Sequence, residues 1–181
     1  MKNYIIVHGS FGNPQENWFP WLSEKLGDVC TVPQFPINEE QNYENWKQVF
    51  NNLKLEGKIN EQTTIIAHSI APIFVVKWVA ETNTKINKLI SVSGFNNHTL
   101  IKKFDDVNFS FFINDNQSFN VFKGLCENRV CFISDNDPYI PLNKLNEFVN
   151  LIDGKTIFIK DAGHFNKSAG YTKFPQILEF I

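Results

Sequence analysis

Six short apolar runs, rich in β-branched and aromatic residues, alternate along this chain with stretches whose apolar residues recur at helical spacing. That alternation leaves few folds open, because strand, helix and strand in succession is the unit of a parallel sheet covered on both faces. The runs predict strands at about Asn3 to Val7, Asp28 to Val32, Thr63 to Ala67, Lys88 to Ser93, Val130 to Ser134 and Thr156 to Lys160. Between them Trp18, Trp21, Leu22 and Leu26 share one helical face, with Asn17 in place as an N-cap. Tyr43, Trp46, Val49, Phe50 and Leu53 make a second stripe, and Leu142, Leu145, Phe148, Val149 and Ile152 a later one. Phe174, Ile177, Leu178 and Ile181 close the chain. The stripes read as core. With no internal repeat and no Pro/Gly/Ser-rich linker, residues 1–181 predict one α/β domain with a mostly parallel sheet. A chain of this size buries roughly 70% of its unfolded surface, enough for a real core.

Composition narrows the partners. The net charge of -2 and a pI near 6.1 provide no field for nucleic acid or an anionic membrane. Of the 17 basic residues only Arg129 is arginine, which removes the bidentate readers of phosphates and base edges. The three cysteines, Cys30, Cys126 and Cys131, lie in or beside apolar runs and read as reduced core thiols. No CxxC or Cys/His spacing predicts a metal. The apolar run after Met1-Lys2 is too short for a signal peptide, and no 18-residue apolar stretch follows, so the expectation is a cytoplasmic, unanchored protein.

Thr63 to Ala71 places Ser69 where an apolar strand gives way to a helix, with Ala67 two residues before it and Ala71 two after. A nucleophile elbow is built this way: the turn strains the serine backbone, and small neighbours let strand and helix approach. The rival reading is a plain helix N-cap. A nucleophilic serine needs a base, since its hydroxyl is not ionised at neutral pH. There are four histidines. His8 ends the first strand, His68 neighbours the serine and points away from it, and His98 lies in a Phe-rich segment. His164 follows the last strand in Asp161-Ala162-Gly163-His164-Phe165, a Gly-containing loop able to turn an imidazole over the elbow; a surface loop histidine is the bland alternative. The base in turn needs an acid to fix its tautomer. Ser134-Asp135-Asn136-Asp137-Pro138-Tyr139-Ile140-Pro141 follows the fifth strand, and Asp137 is the candidate, with Asp135 as competitor and Asp161 as a turn former. The order Ser69, Asp137, His164, each after a separate strand, is that of α/β-hydrolases.

An oxyanion hole needs backbone N–H groups aimed at the charge that develops in acyl transfer. Ile70 follows the nucleophile and supplies one; the loop His8-Gly9-Ser10-Phe11-Gly12 supplies the other, from Ser10 first and Phe11 second. A phosphate loop is the rival there, but it lacks both G-x-G-x-x-G and a Walker lysine. The segment Gly94 to Phe119, with Phe95, Phe104, Phe109, Phe111, Phe112 and Phe119, follows a strand end and reads either as a lid or pocket wall or as an apolar element packed on the domain.

Taken together, HGSFGNPQENWFPWL, AHSIAPIFVVKW, SDNDPYIP and DAGHFNKSAGYTKFPQILEFI resemble the small serine hydrolases related to retinoblastoma-binding protein nine, a compact branch of the α/β-hydrolases. The resemblance runs nearly end to end and leaves out the Phe-rich middle. It implies a compact α/β-hydrolase fold with little cap domain and Ser69, Asp137 and His164 as triad. Ala67 and Ala71 depart from it, since relatives mostly carry glycine there. The expected activity is cofactor-free, metal-free hydrolysis of a small apolar acyl substrate (ester, thioester or amide), with Trp18 and Phe95 in the pocket. The alternative is a hydrolase-fold interaction module with a weak or vestigial triad.

Overall fold

The computed structural model describes residues 2–97 and 99–181; His98 lies outside the described residues. Six strands form one parallel sheet in the order β2-β1-β3-β4-β5-β6: β1 Tyr4–Val7, β2 Cys30–Thr31, β3 Thr64–His68, β4 Lys88–Val92, β5 Asn128–Ile133 and β6 Lys155–Phe158. All six predicted strands are present, with shifted ends. β2 shrinks most, because Gly27–Val29 winds into a 3-10 turn before it and Pro33, which has no N–H to donate, follows it closely.

Side chains alternate across the sheet, and each face has its own core. Ile5 and Val7 of β1 join Ile65, Ala67 and Leu89 beneath four helices: α2 Tyr43–Leu55, α3 Ala71–Thr82, α5 Asn116–Leu125 and α6 Leu142–Ile152. Tyr4, Ile6, Ile66, Ile90 and Phe132 face the other way, onto helix α1 Phe19–Leu26 and the C-terminal segment. Pro175–Phe180 of that segment is a 3-10 helix, which brings positions three apart onto one edge. Phe174 and Ile177 are buried there, whereas Leu178 turns outward.

Asn17 does not cap α1. Its backbone is left-handed and its side chain accepts the Lys167 N–H, while Trp18 occupies the cap position without a side-chain bond. The Phe-rich segment combines both predicted readings: α4 Lys102–Asn108 and the 3-10 turn Phe109–Phe111 pack on the domain, and Phe95 and Phe104 wall a cavity. Helix α5 has no apolar stripe long enough to be read from sequence; Asp115 caps it by accepting the Ser118 N–H at 2.8 Å. Cys126 and Cys131 are free and buried, and burial pushes both thiols up to about 12. No helix among the described residues is long and apolar enough to cross a membrane.

The register sets the ends of the central strands side by side. Val7 pairs with Ala67, Ala67 with Ser91, and Val92 with both His68 and Phe132. The chain winds outward in one direction from β1 and in the other from β3, so the carboxyl ends of these two strands open a crevice at the switch point.

Candidate active site

Ser69 leaves β3 with φ at 63°, the left-handed region that a side chain disfavours. Its N–H is tied to the Val92 carbonyl at 2.9 Å, so neighbouring β4 holds the strained turn. The N-cap position of α3 belongs to Ile70 and no side chain caps the helix, which removes the N-cap reading of the serine. Ala67 and Ala71 are fully buried on either side of the turn. Alanine is therefore small enough for this packing, and the positive φ falls on the serine itself, not on its neighbours.

The loop after β1 comes down onto the elbow. A side chain at Gly9 would put its Cβ 2.8 Å from Ser69 Cβ and 3.3 Å from Ser69 Oγ, so only glycine fits. His8 fixes this loop from below. Its Nδ1 donates to the Gly9 carbonyl at 2.8 Å and its Nε2 accepts the Phe35 N–H at 3.1 Å, an arrangement open only to neutral imidazole. Burial lowers its pKa to match, against an opposing contribution from the Gly9 bond. The Phe11 N–H is already taken by Gln41 Oε1 at 2.8 Å, whereas the N–H groups of Ser10 and Ile70 meet no protein acceptor among the described residues.

Asp137 and His164 meet at 2.7 Å, Oδ2 to Nδ1, with the carboxylate buried. The second oxygen, Oδ1, accepts the N–H groups of Tyr139 and Ile140 at 2.9 and 3.0 Å. Burial alone would raise this carboxyl, but the hydrogen bond and charge of His164 and the two backbone donors more than offset it and hold it below the usual aspartate range. A carboxylate on Nδ1 fixes the proton there and leaves Nε2 of the neutral ring as an acceptor. Asp135 faces elsewhere and accepts the Asp161 N–H at 2.9 Å.

The loop carrying His164 is held by three consecutive side chains. Asp135 takes the N–H of Asp161, Ser134 Oγ that of Ala162 at 2.9 Å, and Asn136 Oδ1 that of Gly163 at 2.6 Å. Asn136 also accepts the Ser134 hydroxyl, so the clamp is cross-linked. From beneath, His68 Nε2 donates to the His164 carbonyl at 2.8 Å. His68 is buried; desolvation and the neighbouring His164 push it down to about 3, and it stays neutral.

Ser69 and His164 line one cavity of about 180 Å³, walled by Phe95, Phe104, Tyr139 and Ile140 and by the polar side chains of Ser10 and Asn108. Trp18 is no part of it. The indole lies in the core of the α1 face and donates to the Phe165 carbonyl at 3.0 Å, a helix-face residue as its spacing with Leu22 allows. Sequence reasoning missed Asn108, Gln41 and Asn136. Asparagine is abundant throughout the chain, and only the third dimension separates these residues from the rest.

A family model described as serine hydrolase matches residues 4–181. The chain is 22% identical to the YdeN protein of Bacillus subtilis (strain 168), over 99% of this chain and 94% of that one. It is 24% identical to the serine hydrolase RBBP9 of Rattus norvegicus, over 98% and 92% of the two chains. Among solved structures, the ydeN gene product of B. subtilis superposes with a TM-score of 0.83 at 22% identity, covering 99% of this chain and 96% of that one. Est1E of Butyrivibrio proteoclasticus, solved with ferulic acid bound, shares the fold at a TM-score of 0.67 and 14% identity, covering 99% and 89%.

Proposed function

Because the chain belongs to the serine hydrolase family, we propose that it cleaves a small acyl substrate, foremost a carboxylic ester, through Ser69, His164 and Asp137. The observation that carries this reading is a serine held at φ 63° sharing one cavity with an imidazole whose Nδ1 is tied to a buried carboxylate. His164 Nε2 takes the Ser69 proton as Oγ attacks the carbonyl carbon, and the tetrahedral oxyanion forms against the N–H groups of Ser10 and Ile70. The imidazolium gives that proton to the leaving oxygen. Water, deprotonated by the same histidine, then releases the acid and frees Ser69. Phe11 is the weaker donor, since its N–H already serves Gln41. Phe95 on the cavity wall favours an apolar body for the acyl group, and thioesters and amides share the same steps.

A fluorophosphonate probe tests the nucleophile. Wild type is labelled and hydrolyses p-nitrophenyl butyrate, and Ser69→Ala does neither. Folded wild type that stays unlabelled and inactive overturns the proposal.

A further inference from the structure

The amide of Asn108 has an orientation that the network around it dictates. The Phe11 N–H can only donate, so the Gln41 atom it meets at 2.8 Å is the oxygen Oε1. Gln41 Nε2 is then a donor, and the Asn108 atom it meets at 2.9 Å is Oδ1. That oxygen also accepts the Ser10 hydroxyl at 2.7 Å. Both acceptor positions of Asn108 are thus spent inside the protein. Its Nδ2 is left with two donors, no protein acceptor among the described residues and a place on the cavity wall, on a side chain whose residue is 99% buried by its 1% exposure. A donor held this rigidly toward a cavity is an offer to a ligand oxygen.

The sheet says which part of the substrate meets it. Histidine protonates the leaving group, so that group lies on the His164 side, where the loops after β5 and β6 arrive. Asn108 is fastened through Ser10 and Gln41 to the loop after β1, on the opposite flank of β3. The acyl group lies on that flank. No lysine or arginine lines the cavity among the described residues, and Glu16 at its rim is acidic, so the oxygen in question belongs to an uncharged group.

Resting on the serine hydrolase mechanism above, we infer that Asn108 determines acyl specificity: its Nδ2 donates to an uncharged oxygen, ether, hydroxyl or carbonyl, in the acyl chain of the substrate. The class of substrate is an ester of a short acid bearing such an oxygen, its carbon atoms packed on Phe95 and Phe104. A site built to bond a substrate oxygen rejects the analogue that lacks it, since the donor is then left unpaired.

Two pairs of p-nitrophenyl esters, methoxyacetate with butyrate and 3-methoxypropionate with pentanoate, differ within each pair by one oxygen in place of a methylene. Intrinsic reactivity is removed by comparing each pair's kcat/KM ratio with its ratio in alkaline hydrolysis. Wild type is expected to favour the ether ester of at least one pair by about tenfold beyond that reference. Asn108→Asp keeps acceptors for Ser10 and Gln41 but has no donor, and Asn108→Leu has neither; both bring the ratio back to the reference. An oxyanion or purely structural role would slow both esters alike. Wild type that cleaves butyrate with reference ratios in both pairs, or Asn108→Asp that keeps the wild-type preference, overturns the assignment and leaves the hydrolase standing. Wild type that neither takes the fluorophosphonate probe nor cleaves any ester fails the mechanism itself, and the assignment with it.

Discussion

Asp137 shows how much one buried group can depend on its neighbours. Its negative charge in the interior is held by one imidazole and two backbone N–H groups, all within 3.0 Å. Asp137→Asn keeps the shape and the bonds to Tyr139 and Ile140, but an amide that accepts from them turns its NH₂ toward His164 Nδ1. The ring then carries its proton on Nε2 and cannot accept from Ser69. Loss of kcat by about 10⁴-fold with little change in KM is expected from ester kinetics. At this scale the sequence was readable where chemistry and chain order coincide: Ser69, Asp137 and His164 each follow a strand, and the fold brings their loops together. It was not readable where a residue's role depends on which way it faces. Trp18 and Phe11 satisfied the pattern for pocket and oxyanion roles, yet one indole is core and one N–H is already bonded.

The elements divide the work between two loops. The loop after β5 supplies the carboxylate and also the clamp on the loop after β6, through Ser134, Asp135 and Asn136. Ser134 is the buried member of that clamp. Ser134→Ala leaves the buried Ala162 N–H without its acceptor, so the histidine loop loosens: kcat/KM is expected to fall up to about 100-fold and Tm by a few degrees. Asp135→Ala, at an exposed bond, should change both far less; equal effects from the two would mean that Ser134 does not position the loop. The strands and the longer stripes were legible because burial on one face imposes a period on the sequence. Helix α5 and the C-terminal 3-10 helix were not. The first is announced only by its Asp115 cap, and the second is wound as a 3-10 helix, whose spacing of three α-periodicity does not match.

For the whole molecule, the buried imidazoles set a direction in pH. His8 and His68 are held neutral in the fold, below the ordinary histidine value of about 6.5 and in His68 down to about 3. Between those values the unfolded chain binds more protons than the folded one, so the stability they protect is present above about 6.5 and is lost as pH falls. Asp137 adds the same sign lower down: its contribution is complete above the ordinary aspartate range and is lost as pH drops through its lowered value. The urea midpoint should therefore decline from pH 7 to pH 4, more shallowly in His68→Gln; a midpoint constant across that range would contradict it. The two-sided sheet that buries these imidazoles also brings Gly9 against Ser69. The consequence is historical as much as structural. A lineage that gives up the serine at position 69 for glycine loses the Cβ that a side chain at position 9 would meet and is released from the need for glycine there, and one that keeps the serine is not. Drift at the two positions should be coupled, and a side chain at position 9 would mark a descendant that has retired its chemistry while keeping its fold.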